Sequence, residues 1–69
     1  MKIKVNGEEK YLETNKSQIS LTQTLNSLGY RPNTIVVELN NFIVNYEGWE
    51  TEKVVDGDVL EIVSIVGGG

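Results

Sequence analysis

The pattern of apolar and polar positions in the first half of the chain predicts a β-hairpin. Apolar residues at positions 1, 3 and 5 alternate with two lysines, which is typical of a half-buried strand. Asn6-Gly7 follows and is a strong hairpin signal, because both residues tolerate positive φ angles. The returning strand is predicted over residues 9–13, with Leu12 on the inward face and Tyr11 on the other.

A short helix is predicted after a polar connection over residues 14–19. Ser20 and Gln23 have the spacing of a capping box, in which each side chain satisfies a free backbone amide of the first turn. Three leucines then share one helical face: Leu21, Leu25 and Leu28. Gly29 suits the left-handed conformation of the residue that ends a helix. Two turns of helix are unstable alone in water, so these leucines must pack against a sheet.

The second half of the chain predicts three further strands. Residues 34–39 and 42–44 are rich in β-branched residues and are joined by a tight turn at Asn40-Asn41. Residues 45–53 are polar and irregular, with Tyr46 and Trp49 as local packing anchors. The last strand covers residues 59–66 after an Asp-Gly-Asp turn. If Leu60 and Ile62 point inward, Glu61, Val63 and Ile65 lie on the opposite face of this strand. Val63 and Ile65 would then form an exposed apolar strip next to one acidic residue.

These elements indicate one α+β domain with about five strands and one helix packed on one face of a sheet. The chain has 69 residues with no cysteine and no histidine. It therefore lacks a thiol nucleophile, a disulfide, a Cys/His metal cluster and an imidazole for proton transfer. An enzyme is disfavoured, because carboxylates such as Glu38 and Glu61 have no visible pocket or partner group.

The charge of the chain is uneven. Residues 1–31 carry five basic and three acidic side chains, and residues 32–69 carry one basic and seven acidic ones, so the net charges are +2 and −6. An acidic half disfavours nucleic acid and anionic membranes as partners and suggests a partner with a basic surface. A solvated acidic face that serves solubility is the alternative. No metal site is expected, because Asp56 and Asp58 supply too few ligands. No signal peptide or membrane-spanning run is present in the sequence, so a cytoplasmic protein is expected.

The sequence ends in Val66-Gly67-Gly68-Gly69. A linker remnant or a frayed end could explain three glycines, whereas a phosphate-binding loop is excluded because no helix follows. A functional explanation is that glycine gives the narrowest and most flexible backbone, which extends a carboxylate roughly 10 Å beyond the last strand. That ionised carboxylate could attack the α-phosphorus of ATP in a partner's active site, and a sulfur nucleophile could then attack the acyl-adenylate.

Six segments of the chain, in order, resemble the ThiS family of sulfur carriers: KIKVNGEE, SLTQTLNSLG, VVELNNFIV, the single Trp49, VDGDVLEIV and the terminal VGGG. The resemblance implies a ubiquitin-like β-grasp fold over residues 1–66, with parallel first and last strands side by side, followed by a flexible tail over 67–69. It implies that Gly69 is adenylated by a ThiF-type enzyme, converted to a thiocarboxylate and used by the thiazole synthase ThiG in thiamine biosynthesis. Gly67 and Gly68 would thread the tail into the partner's active site.

The same resemblance implies a monomer that binds no cofactor of its own, with ATP used by the activating partner and sulfur supplied by a donor such as a cysteine desulfurase. Val63 and Ile65 are predicted to contact the partner, with Glu61 and Asp58 around them. One departure is Asn45-Tyr46-Glu47, where many family members have a proline and a basic residue.

Three alternatives remain open at this point. A MoaD-like carrier for molybdopterin synthesis would share the tail chemistry but have a different synthase as its partner. A ubiquitin-type modifier would form an isopeptide bond through Gly69. A plain β-grasp binding module would make no use of its glycines.

Overall fold

A computed structural model describes residues 1–65 of the chain. Within this part the chain forms seven strands, one α-helix and two short 3₁₀ turns, at Pro32–Thr34 and Tyr46–Gly48. In chain order the regular elements are β1 (Lys2–Val5), β2 (Glu8–Tyr11), β3 (Gln18–Ser20), α1 (Leu21–Leu28), β4 (Ile35–Leu39), β5 (Phe42–Val44), β6 (Lys53–Val55) and β7 (Val59–Ser64).

Five strands form the main sheet in the order β2-β1-β7-β4-β5. The last strand, β7, lies at the centre and pairs in parallel with β1 and antiparallel with β4. Two tight turns close the outer hairpins, and positive φ angles at Asn6, Gly7, Asn40 and Asn41 fit the predicted turn chemistry. The predicted mixed five-stranded sheet is therefore confirmed, including the parallel pairing of the first and last strands.

The helix packs on one face of this sheet, which we call the inner face, and the opposite face is called the outer face. Ser20 caps the helix by accepting a hydrogen bond from the Gln23 amide at 3.0 Å, which is one half of the predicted capping box. Gly29 ends the helix in the left-handed conformation, as predicted. Leucines of the helix join inner-face residues in one core: Ile3, Val5, Leu21, Leu25, Val37, Leu39, Leu60 and Ile62 are all buried.

A second sheet of two short strands was not predicted from the sequence. Strands β3 and β6 pair antiparallel, with Ile19 directly opposite Val54, and both residues are buried. The sequence placed residues 14–19 and 45–53 in irregular connections, because three-residue strands are too short to show a period. This small sheet holds the connection after β5 against the start of the helix, where the Leu21 amide donates to the Glu52 carbonyl at 2.8 Å.

The arrangement is the ubiquitin-like β-grasp: a mixed sheet with parallel central strands, packed on one helix. Strand β7 ends at Ser64, two residues earlier than the sequence predicted. The predicted boundary between a domain over 1–66 and a tail over 67–69 lies outside the described residues.

Candidate functional site

The end of β7 leads directly to the glycine segment and is therefore the first part of the candidate site. The Ile65 amide donates to the Thr34 carbonyl at 2.8 Å, which continues the β4–β7 ladder to the end of the described chain. Gly67, Gly68 and Gly69, the residues predicted to thread and react, lie outside the described residues. The structure describes the end of β7 and Ile65, which precede these residues in the chain.

On the side of β7 that faces β1, strand β1 ends at Val5, and the Asn6 side chain makes the next hydrogen bonds to β7. Its amide group makes two hydrogen bonds to the backbone of Ile62: Nδ2 donates to the carbonyl at 3.0 Å, and the Ile62 amide donates to Oδ1 at 2.7 Å. The Asn6 backbone amide also donates to the Leu60 carbonyl at 2.9 Å. The side chain thus extends the ladder beside β7 by one residue pair beyond β1, and it fixes the strand close to its carboxyl end.

The predicted faces of β7 are confirmed. Leu60 and Ile62 are buried in the core, whereas Glu61, Val63 and Ile65 lie on the outer face. Val63 is 61% exposed and Ile65 is 57% exposed. An apolar strip thus runs along the outer face of the central strand toward the glycine segment.

Asp58 lies at the opposite end of β7 from Ile65. They are seven positions apart in an extended chain, which is roughly 20 Å at the rise of a strand. The Asp58 carboxylate accepts hydrogen bonds from the Val55 amide at 2.9 Å and from the Asn40 side chain at 3.1 Å, so it braces a turn. The structure does not bring Asp58 together with the other predicted docking residues, and its role in docking stays a prediction.

Three residues that were not predicted complete the exposed surface beside Val63. Val36 lies directly opposite Val63, Glu38 lies directly opposite Glu61, and Ile43 lies opposite Glu38 on the edge strand. Ile43 is 64% exposed and Val36 is 37% exposed. We call this set the docking face, because Val63 and Ile65 are predicted to contact the partner: Val36, Glu38, Ile43, Glu61, Val63 and Ile65. The alternation within β4 could have placed Val36 and Glu38 on the outer face, but only the strand register shows which residues they oppose.

The segment that departs from the common family pattern packs locally. Trp49 is buried and its indole nitrogen donates to the Val44 carbonyl at 2.8 Å. Tyr46 lies edge-on to the Trp49 ring, with centroids 5.1 Å apart. Trp49 therefore anchors the loop after β5, as the sequence indicated.

No three acidic side chains within residues 1–65 come together as metal ligands. The single α-helix of this part of the chain has eight residues, and no helix there is long and apolar enough to cross a membrane.

Comparisons with known proteins agree with this geometry. The chain is 43% identical over 65 residues to an uncharacterized protein, ycf40, of Trieres chinensis, a match that covers 94% of this chain and 85% of the relative. It is also 38% identical over 69 residues to a thiazole synthase of Paramagnetospirillum magneticum. That match covers 100% of this chain but only 20% of the synthase.

Solved structures of a thiamine biosynthesis protein, ThiS, from Geobacter metallireducens have the same fold. The crystal structure superimposes with a TM-score of 0.83 at 28% identity, covering 100% of both chains. The solution structure gives a TM-score of 0.80 at 28% identity and covers 100% of this chain and 88% of the other. The model of the ThiS family matches residues 3–69, which include the terminal glycines. The chain therefore belongs to the ThiS family.

Proposed function

We propose that this protein is a sulfur carrier of thiamine biosynthesis and that its reactive group is the carboxylate of Gly69. The observation that carries the proposal is the family match over residues 3–69, which includes both the β-grasp domain and the glycine segment. In this scheme the chain is a substrate of its partner enzymes and supplies no catalytic side chain. The absence of cysteine and histidine is compatible with this role, because the reactive atoms belong to the main chain.

The first step is activation in a ThiF-type adenylyltransferase. A carboxylate oxygen of Gly69 attacks the α-phosphorus of ATP, the new P–O bond forms and pyrophosphate leaves. The product is a mixed anhydride between the glycine carboxyl group and AMP. Gly67 and Gly68 suit this step because residues without side chains can pass through a narrow entrance to the partner's active site.

The second step replaces AMP with sulfur. A persulfide on a donor such as a cysteine desulfurase attacks the glycine carbonyl carbon, and AMP leaves with the electron pair of the broken C–O bond. A second thiol then attacks the donor sulfur of the resulting acyl disulfide. That attack releases the Gly69 thiocarboxylate and leaves a disulfide between the two thiols, so the thiol supplies the two electrons that reduce the transferred sulfur.

A thiazole synthase is the proposed acceptor of this sulfur. Support comes from the relative in which a segment similar to this whole chain forms 20% of a thiazole synthase. A carrier and an acceptor that occur in one polypeptide are held at high effective concentration, which is useful when one passes sulfur to the other.

The test is intact-mass spectrometry after incubation with ATP, a ThiF-type enzyme, a cysteine desulfurase and cysteine. The expected product is heavier by the difference between one sulfur and one oxygen atom, and fragmentation assigns the change to Gly69. A variant lacking Gly68 and Gly69 is the control and should stay unmodified. Modification of that truncated variant would contradict the proposal, and a product joined to a lysine of another protein would favour the ubiquitin-type alternative.

A further inference from the structure

The docking face contains two carboxylates in direct opposition. Glu38 on β4 and Glu61 on β7 are register partners, and Val36 and Val63 form the neighbouring pair on the same face. Like charges directly opposite each other on a sheet are destabilising. Glu38 is half-buried, which limits the ability of water to screen the pair.

No cation of the described chain forms an ion pair with either carboxylate. The ion pairs within residues 1–65 are Lys2–Glu9 at 3.6 Å and Lys10–Glu8 at 3.5 Å, and all four residues belong to β1 and β2. The strand beyond Glu38 presents the exposed Ile43, so neither charge is compensated from that side. The docking face is therefore an apolar surface with two opposed carboxylates near its centre. Lys4, which lies opposite Val59 on the neighbouring strand β1, forms no ion pair with either of them.

We infer that a partner protein completes this face by placing an arginine guanidinium between Glu38 and Glu61, with apolar side chains against Val36 and Val63. A guanidinium suits the position because its planar set of five donors can serve two carboxylates and is more weakly hydrated than an ammonium group. The inference rests on the proposed function, since the partner is the ThiF-type enzyme.

The chemistry of the face disfavours other occupants. A second copy of this chain would bring two more carboxylates against the first pair, because symmetric dimers use the same patch on both subunits. Nucleic acid and anionic lipid would meet the same repulsion.

The test compares Glu38→Gln and Glu61→Gln with Glu8→Gln, a control that removes one negative charge from the β2 edge. Two quantities are measured for each variant: the melting temperature of the free protein, and the KM for the carrier in pyrophosphate release by the ThiF-type enzyme. We expect the KM to rise about tenfold for each of the two docking-face variants, with kcat unchanged at saturation, because a charged hydrogen bond to the partner is lost. We expect the melting temperature to stay the same or rise, because one of two opposed charges has been removed.

The apolar part of the face is tested by Val63→Asp, with Val59→Asp as its control. Val59 lies on the same strand and face, but toward the far end, beside Lys4. Val63→Asp should raise the KM by more than tenfold, because Val63 lies opposite Val36 on the side of the carboxylate pair that leads to the glycine segment. Val59→Asp should change the KM less than twofold, because Val59 lies on the other side of the pair, beside Lys4.

Three results would overturn the inference while leaving the proposed function intact. The docking-face variants could match Glu8→Gln in KM, which would show that only net charge matters. Their melting temperatures could fall together with the rise in KM, which would indicate a structural role. Sedimentation could show that the wild-type chain dimerises and that Glu61→Gln alters the dimer. If the wild-type chain releases no pyrophosphate at all, the proposed function fails and the inference fails with it.

Discussion

The outer face of the sheet has two parts with opposite charge arrangements. On β1 and β2, Lys4 lies directly opposite Glu9, and Lys2 forms an ion pair with the same carboxylate. On β4 and β7, Glu38 lies directly opposite Glu61 and the neighbouring pair is apolar. The first part contains both signs of charge and forms an ion pair within the chain, whereas the two carboxylates of the second part form no ion pair with any residue of 1–65. The difference makes the second part of the sheet better suited than the first to a cationic partner.

The largest effect on stability is expected on the inner face of β7, the strand that lies between the two parts of the sheet. Leu60 is fully buried on β7 and is the register partner of Val5 on one side and Leu39 on the other. Leu60→Ala should lower the free energy of unfolding by about 2–5 kcal/mol, because it removes buried contacts and leaves a cavity. Urea denaturation followed by Trp49 fluorescence would measure the loss.

Since that loss could unfold so small a domain, Ile62→Val is a milder version, with an expected loss of about 0.5–1.5 kcal/mol. Val63→Ala on the outer face is the control and should stay within about 0.5 kcal/mol of the wild type. A large loss at Val63 with little change at Ile62 would mean that the two faces of β7 had been exchanged.

A smaller effect is expected at Asn6, which joins the β1 hairpin to the carboxyl end of β7. Asn6→Ala removes two hydrogen bonds to Ile62 and puts alanine at a φ of 52°, a left-handed conformation that alanine tolerates less well than asparagine. The expected destabilisation is about 2–3 kcal/mol in urea denaturation. Asn6→Gly tolerates the backbone angle but lacks the amide, and should lose about 1–2 kcal/mol. Equal and negligible losses in both variants would show that the side chain does not hold β7.

The smallest effect tests the charge arrangement itself. Glu38→Lys places a cation opposite Glu61 and should stabilise the free protein by about 0.2–1 kcal/mol, whereas Lys4→Glu places a carboxylate opposite Glu9 and should destabilise it by a similar amount. Glu13→Lys and Lys16→Glu make the same changes of net charge in an exposed loop and serve as controls. The comparison fails if melting temperatures follow net charge alone, with no difference between sheet and loop positions.

Much of the fold could be predicted from local sequence because its elements carry strong signals. The Asn6-Gly7 turn, the cap at Ser20, and the alternation of Leu60 and Ile62 with Val63 each depend on neighbouring residues. Strands β3 and β6 could not be predicted, because Ile19 and Val54 become partners only when residues 35 positions apart meet in the folded chain.

In the candidate site, too, local sequence predicted the features of one strand but not the pairing between strands. The exposure of Glu61, Val63 and Ile65 followed from the period of a single strand. The opposition of Glu38 and Glu61 did not, because it depends on the register between two strands that are distant in sequence. The position of Asp58 at the far end of β7 also required the direction of that strand relative to the glycine segment.

The parallel pairing of β1 and β7 has a mechanical consequence. Force applied at the carboxyl end of β7 would load the strand along its length, while β1 beside it runs in the same direction. The bonds that join the two strands, including those from Lys4 to Asp58 and from Asn6 to Leu60 and Ile62, are then strained together in shear and cannot be broken one after another. The domain can therefore act as a rigid handle for the glycine segment, with force along the chain spread over the central pair of strands.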